Sequence, residues 1–426
     1  MARIYPDKVG RTLSDRAADK ALRPVLPIKK GEETVLKPDG VDDNRKAMAT
    51  ETIPVEREAR PNAFARFNNV LRMMFEKEAS DLHISVGSGF RIRVRGDLVQ
   101  APDAAPLNPN EIASIAGGIL LAGRKCTKDN MVPFVEAITD YDCSYSVPGL
   151  GRYRVNISSQ RHSLALVLRH IPYALPTIDG LGLPPVLKDI AMAERGLVLV
   201  TGITGSGKST TLAAMINLLN QTRQGKIVTI EDPIEFVYRD DRSTIVQREC
   251  GSDTENFAKA LRAALRQDPD IILVGEMRDR ETIDIAIKAA ETGHLVLSTV
   301  HTTDAPKTIS RILSVFDPTE QVAMRQRLSE TLKAIISQRL LQRADGNGRV
   351  AACEIMRQTQ TIQECIAESS KTFMLKEYIE KGREFYKMQT FDQHLTDLYH
   401  AGAITLEVAK SAATSSADFE RNLHFE

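Results

Sequence analysis

At 426 residues the chain is longer than a single hydrophobic core ordinarily serves, so two domains plus tails are expected. Its 56 Lys and Arg balance its 56 Asp and Glu, which argues against a nucleic-acid binder held by overall positive charge; the scattered Cys126, Cys143, Cys250, Cys353 and Cys365 form no Cys-x-x-Cys pair and indicate neither a zinc ribbon nor a disulfide framework. No stretch approaches the ~20 apolar residues of a membrane span, and "MARIYPDKVGRTLSDRAADK" has no apolar signal-peptide core, so a cytoplasmic protein is expected.

Residues 1–60 are charged and punctuated by prolines, with "KKGEETVLKPDGVDDNRK" at their middle, and read as a flexible extension. Phe64, Phe67, Val70, Leu71, Met74 and Phe75 then recur at three- and four-residue spacing and predict a helix with one apolar face. "LHISV" and "FRIRVRGDLVQ" alternate in polarity, a helix-like stretch covers 110–121, and "RYRVNISSQ" and "SLALVLRHI" resume the alternation. These elements predict a small α+β domain over 61–172. The proline- and glycine-rich segment that follows reads as a connector, with 173–186 as the linker proper.

From 187 the pattern changes to short apolar strands, "KIVTIE", "DIILVG" and "HLVLSTV", separated by helices over 256–266 and 281–292. That alternation predicts a parallel-sheet α/β core over 187–356. After about 317 the pattern turns helical, broken by "RVAACEIM", and 357–426 reads as a C-terminal region of four small helices. There Ile362, Cys365, Ile366, Phe391, Leu395 and Leu398 recur at helical spacing, as packing residues do.

The first strand of the core opens "LVLVTGITGSGKSTTLAAMINLLN", in which Gly202, Gly207, Lys208 and Ser209 satisfy G-x-x-x-x-G-K-[ST] between a strand and a helix. Glycines at 202, 205 and 207 let the loop turn its N–H groups onto phosphates, with Thr204, Ser206 and Thr210 completing the cradle. Lys208 is suited to reach the β- and γ-phosphates and Ser209 to offer its hydroxyl to Mg²⁺, so ATP with Mg²⁺ is the expected ligand.

Three carboxylates fall at strand ends in this core: Glu231 and Asp232 after "IVTI", and Glu276 after "IILVG". In open α/β sheets ligands bind at that edge, and an acid there holds Mg²⁺, directly or through water, or orients the attacking water. Glu276 is assigned to the metal and Glu231 to the water; the two acids can exchange these roles, and Asp232, before Pro233, can simply shape the turn. His294 and His301 bracket "LVLSTV". At the strand's C-terminal end, neutral His301 could hydrogen-bond the γ-phosphate, against the plainer reading of a packing or solvent-facing histidine.

In order, "ITGSGKSTT", "TIEDPIEF", "RQDPDIILVGEMRDRETI" and "TGHLVLSTVHTTDA" resemble the Walker A, Asp box, Walker B and His box of the secretion and type IV pilus motor ATPases, and "ASDLHI" and "RYRVN" match the same superfamily's N-terminal domain. The resemblance covers nearly everything after residue 60. It implies a RecA-like P-loop ATPase domain with a parallel sheet, preceded by a smaller α+β, PAS-like domain and followed by C-terminal helices. It also implies a homohexameric ring that converts ATP hydrolysis into domain movement, with Arg154 and Arg169 supplied to the nucleotide by the N-terminal domain. A guanidinium near the γ-phosphate would stabilise developing charge; the plainer reading is two strand-surface arginines.

"GRVAACEIM" and "MQTFDQHLTDLYHAGAITLEVA" resemble the PilT-type retraction ATPases, and the tetracysteine zinc module usual in extension and type II secretion ATPases is missing from this sequence. Two departures stand out: the long N-terminal extension, and "TIQECIAE" where PilT-type proteins often have AIRNLIRE. The expectation is a motor for pilus retraction acting through an inner-membrane platform protein, associated peripherally with the membrane complex and without a nucleic-acid partner. A type II or Dot/Icm-like secretion ATPase, a RecA-like nucleic-acid motor and a regulatory nucleotide binder are the competing expectations.

Overall fold

Asn62 starts the first helix, its side chain accepting from the Phe64 N–H at 3.0 Å and so satisfying one of the free donors of the first turn. The computed structural model describes residues 62–102, 105–171 and 174–423; the predicted N-terminal extension lies outside them. Helix α1 (Ala63–Glu76) buries Phe67, Val70, Leu71 and Met74 as its spacing predicts, while Phe75, at the margin of that face, is 47% exposed.

The chain continues through β1 (Asp81–Ser85), β2 (Arg91–Val94), β3 (Asp97–Gln100), α2 (Pro109–Ala122), α3 (Met131–Glu136), β4 (Asp140–Val147), β5 (Gly151–Gln160) and β6 (Ser163–Ile171). The strands form one antiparallel sheet in the order β3-β2-β1-β6-β5-β4. Leu82, Ile92, Val155 and Leu168 join Phe67 and Ile115 in a core of its own, and each fully buried aliphatic side chain there contributes about 1.5–3 kcal/mol. β4 has no expectation behind it, because "DYDCSYSV" is polar on one face; only Cys143 and Tyr145 are fully buried.

After α4 (Val186–Ala191), formed within the predicted connector, come β7 (Gly196–Thr201), α5 (Lys208–Thr222), β8 (Lys226–Glu231), β9 (Thr244–Glu249), α6 (Phe257–Ala264), β10 (Ile271–Val274), α7 (Arg280–Glu291), β11 (Leu295–Val300), α8 (Ala305–Leu313), α9 (Pro318–Thr331), β12 (Leu332–Gln342) and β13 (Arg349–Arg357). These strands make a seven-stranded sheet ordered β13-β12-β7-β11-β10-β8-β9. All neighbours are parallel except β12 and β13, so the predicted parallel sheet carries an antiparallel edge. Helices cover both faces, and β7, β10 and β11 are buried along their whole length.

The expected helical continuation after 317 is corrected by β12. Leu332, Ile335, Ile336 and Leu340 mimic helical spacing, yet the strand lies between β7 and β13 with both faces largely buried, where no alternation is required. The C-terminal region is also more finely divided than four helices: α10 (Gln360–Ala367), a 3-10 turn (Ser369–Met374), α11 (Leu375–Lys381), α12 (Arg383–Tyr386), α13 (Phe391–His400), α14 (Leu406–Ala412) and α15 (Ser416–Leu423). Its six predicted packing residues are all buried.

This region closes the open edge of the sheet. On β13, Cys353 donates its N–H to His394 Nδ1 at 2.9 Å and accepts from Gln389 Nε2 at 2.9 Å, while Ile355 and Gln389 exchange backbone hydrogen bonds. Arg339 of β12 lies 3.9 Å from the centre of the Phe391 ring. An edge strand so covered cannot pair with another chain.

Candidate functional site

The loop between β7 and α5 is shaped by its glycines. Gly202 has φ 147°, and a Cβ there would lie 2.4 Å from Ser206 Oγ and 2.6 Å from the Gln338 carbonyl oxygen, so only glycine fits. Gly207 sits at φ 89° as the residue before α5, which aims the first N–H groups of that helix into the loop. Within the arch, Lys208 is 8% exposed and donates to the carbonyls of Gly202 at 3.0 Å and Ile203 at 2.9 Å. Burial pushes its pKa down from the ordinary lysine value. Ser206 Oγ is buried with no hydrogen-bond partner.

The loop opens onto a cleft of about 380 Å³ at the C-terminal ends of the parallel strands. Thr204, Gly205, Lys208 and Ser209 line it from the loop side, and Glu231, Glu276, His301 and Arg154 from the others. Gly202, Ser206, Gly207 and Thr210 are not among the lining residues; they build the loop behind it.

The two acids differ in setting. Glu231 ends β8, is 8% exposed, and accepts from Thr229 Oγ1 at 2.6 Å and Gln247 Nε2 at 3.2 Å. Burial raises its pKa in spite of those bonds, which makes the carboxylate a stronger base when ionised. Glu276 lies in the loop after β10, half-open to the cleft, where Arg278 donates to it and His301 Nε2 is 3.1 Å from its Oε1. Desolvation, then the charge of Lys208, lowers the His301 pKa and favours the neutral imidazole. The His301 loop leads into α8, whose Ala305 N–H donates to Glu354 Oε1 at 2.9 Å; burial pushes the Glu354 carboxyl up to about 7. His294, by contrast, turns its Nδ1 toward the Ala289 carbonyl at 2.9 Å, in the turn after α7, away from the cleft lining.

The two arginines separate. Arg154 and Arg169 are directly opposed on β5 and β6 and both are exposed, but only Arg154 lines the cleft. Arg169 donates through Nε to Asp81 Oδ1 at 2.9 Å, with its side chain 72% exposed. Glu235, Arg278 and Phe257 are among the cleft residues that carried no assigned role in the sequence. The first two lie inside motifs quoted for other residues. Gln247, the partner of Glu231, comes from β9, a strand too polar to be noticed.

Residues 61–423 match the family model described as type II/IV secretion system protein. The chain belongs to that family. Among type II/IV secretion system proteins it is 45% identical over 350 residues to the type IV pilus retractation ATPase PilT of Pseudomonas aeruginosa, covering 82% of this chain and 98% of the relative. The crystal structure of the pilus retraction motor PilT with bound ADP superposes with a TM-score of 0.74 at 41% identity, over 83% of this chain and 98% of that one. The Legionella pneumophila ATPase DotB, also similar, has a TM-score of 0.70 at 29% identity over 82% of this chain and 94% of its own. The RecA-like α/β fold, with its smaller α+β partner and C-terminal helices, is thus the fold of this family.

Chemically, the cleft combines a backbone anion cradle with a buried lysine, a serine hydroxyl, two carboxylates in different environments and one arginine from the neighbouring sheet. Those are the parts needed to bind a nucleoside triphosphate with Mg²⁺ and to direct water at its terminal phosphate.

Proposed function

We propose that this protein is a motor ATPase for type IV pilus retraction. The observation that carries the reading is the 45% identity to the pilus retractation ATPase across 98% of that relative's length, with the P-loop, both acids and His301 gathered in one cleft. Gly202, Thr204, Gly205, Ser206, Gly207 and Thr210 form or brace the phosphate cradle, Lys208 neutralises the β- and γ-phosphates, and Ser209 with Glu276 holds Mg²⁺, directly or through water. The metal supplies charge neutralisation at the phosphates. Glu231, raised in pKa, takes a proton from the attacking water. His301 reads the γ-phosphate as a neutral donor, and Arg154 stabilises charge there. We assign Arg169 to a coupling role outside the cleft of its own chain, since Asp81 holds it there.

The working particle in this reading is a homohexamer at the cytoplasmic face of the inner membrane, pulling through the pilus platform protein. The N-terminal α+β domain (61–172) moves on the ATPase domain (187–356) across the 173–186 linker, with 357–426 bracing the latter. No helix among the described residues is long and apolar enough to cross a membrane, which is consistent with peripheral attachment. The likeness to DotB sustains a secretion motor as the second reading.

The test is a deletion strain complemented with the wild-type gene or with Glu276→Gln. The expected outcome is that the deletion loses twitching while keeping surface pili, that the wild-type gene restores twitching, and that Glu276→Gln does not. Purified Glu276→Gln should bind ATP yet hydrolyse it at least roughly a hundredfold more slowly. Loss of pilus assembly, or intact motility with a secretion defect, would replace retraction by one of the related roles.

A further inference from the structure

Arg154 reaches the cleft from a different sheet, so something must hold that sheet in place. One buried carboxylate makes the connection. Glu249, the last residue of β9, is 3% exposed. Its Oε2 accepts from Arg152 NH2 at 2.6 Å and from the Ile234 N–H at 3.1 Å, and its Oε1 accepts from Ser144 Oγ at 2.8 Å and Ser252 Oγ at 3.1 Å. Arg152 and Ser144 belong to β5 and β4 of the antiparallel sheet, and Ile234 to the loop that follows Glu231.

Arg152 also donates to Ser144 Oγ at 2.8 Å, which closes a three-membered network. Burial alone would raise the Glu249 pKa, but the Ile234 N–H, the Arg152 charge and Ser144 outweigh it and hold the carboxyl below its ordinary value. A second tie runs nearby, from Lys125 Nζ to the Gly251 carbonyl at 2.7 Å.

Arg152 and Arg154 are two residues apart on β5, so they project from the same face, roughly 7 Å apart along the strand. We infer that the Arg152–Glu249 pair is a positioning device that seats Arg154 in the nucleotide cleft. The consequence follows from tolerance: reacting groups misplaced by about 1 Å lose on the order of a hundredfold in rate. A charged pair with one partner removed leaves an uncompensated buried charge, so the connection is held or broken as a unit. Arg152 touches no nucleotide in this scheme. It acts through Arg154.

The inference rests on the ATPase reading, and its test separates the two. Turnover and ATP affinity are measured on the full chain for wild type, Arg152→Ala, Arg154→Ala and the double variant. Arg152→Ala should lower kcat by about tenfold or more and leave the KM for ATP within about threefold, and adding it to Arg154→Ala should cost nothing further, because a residue acting through another is silent once that other is gone. Multiplicative losses in the double variant, or unchanged kcat in Arg152→Ala, overturn the inference.

Glu249→Gln, which keeps the shape, removes the charge and can still accept the Ile234 N–H on its one amide oxygen, should reproduce the kcat loss and guards against misfolding of the alanine variant. Hydrogen exchange without nucleotide supplies a readout free of activity: Arg152→Ala should speed exchange in 232–236 and 249–253 by about fivefold or more and leave β10 and β11 unchanged, as local opening does. If wild type does not hydrolyse ATP, the functional reading fails and exchange alone judges the ion pair; unchanged exchange overturns it.

Discussion

The cleft side of the seven-stranded sheet and its β13 edge are both rich in polar groups, and they are organised in opposite ways. In the cleft, Lys208 donates to carbonyls of its own loop, Ser206 Oγ has no partner, and Glu276 is shared between Arg278 and His301. At β13 the groups are tied once and for all: both backbone groups of Cys353 are occupied by His394 and Gln389, and Arg339 lies against Phe391. The first arrangement can exchange internal partners for a ligand at small cost, whereas the second leaves a buried group unsatisfied if any member is lost. One region is built for chemistry and the other for permanence.

The sharpest way to break this comparison is Lys208→Ala, which removes a charge from the cradle and little from the core. It is expected to fold with an unchanged melting temperature within about 2 °C and to lose on the order of a thousandfold in ATP turnover. Nucleotide titration beside a phosphate-release assay checks it, and a large loss of stability would mean that the loop is part of the structural core. Next in size, Arg154→Ala should fold, bind ATP and lose roughly ten- to a thousandfold in rate, while Arg169→Ala, freed from Asp81 instead of from the cleft, should lose less in the same assay.

The opposite profile is expected at His394. Burial holds its pKa down at about 4, so the folded chain carries a neutral imidazole where the unfolded chain titrates near its ordinary value. The native state therefore binds fewer protons, and stability is full above about pH 6.5 and falls as pH drops toward 4. His394→Leu should cost about 1–3 kcal/mol at pH 7.5 by orphaning the Cys353 N–H, flatten the acid limb below pH 6.5, and spare turnover per folded molecule. Urea denaturation at several pH values measures both effects.

The smallest effect on chemistry is expected from replacing "TIQECIAE" by AIRNLIRE. Ile362, Cys365 and Ile366 of this segment are buried, but Gln363 and Ala367, where the arginines would enter, are partly exposed and outside the cleft lining. Turnover should stay within about twofold, with any change appearing in twitching. A large loss of turnover in a folded variant would show that this segment communicates with the cleft.

Much of the site is readable in sequence because its chemistry is local. The phosphate cradle is one loop of consecutive residues, and Glu231, Glu276 and His301 each sit at or just beyond the end of an apolar strand that announces itself. Elements that failed to announce themselves are the polar strands β4 and β9, which lie at sheet edges and bury few apolar side chains, and β12, where burial on both faces removes the alternation. Gln247 and Glu249 arrive on β9 and were invisible for that reason.

The sequence by itself determined the P-loop, the alternation of the apolar strands β7, β8, β10 and β11 with helices, and the acids at strand ends, because backbone geometry and residue spacing act over a few residues. Only the tertiary structure decided that Arg154 enters the cleft while its cross-strand neighbour Arg169 turns to Asp81, and that Glu249 ties the two sheets together. Those outcomes depend on which distant surfaces are buried against each other. A charged side chain at such a junction takes whichever partner compensates its lost hydration, and that partner is set by packing and not by its neighbours in the chain.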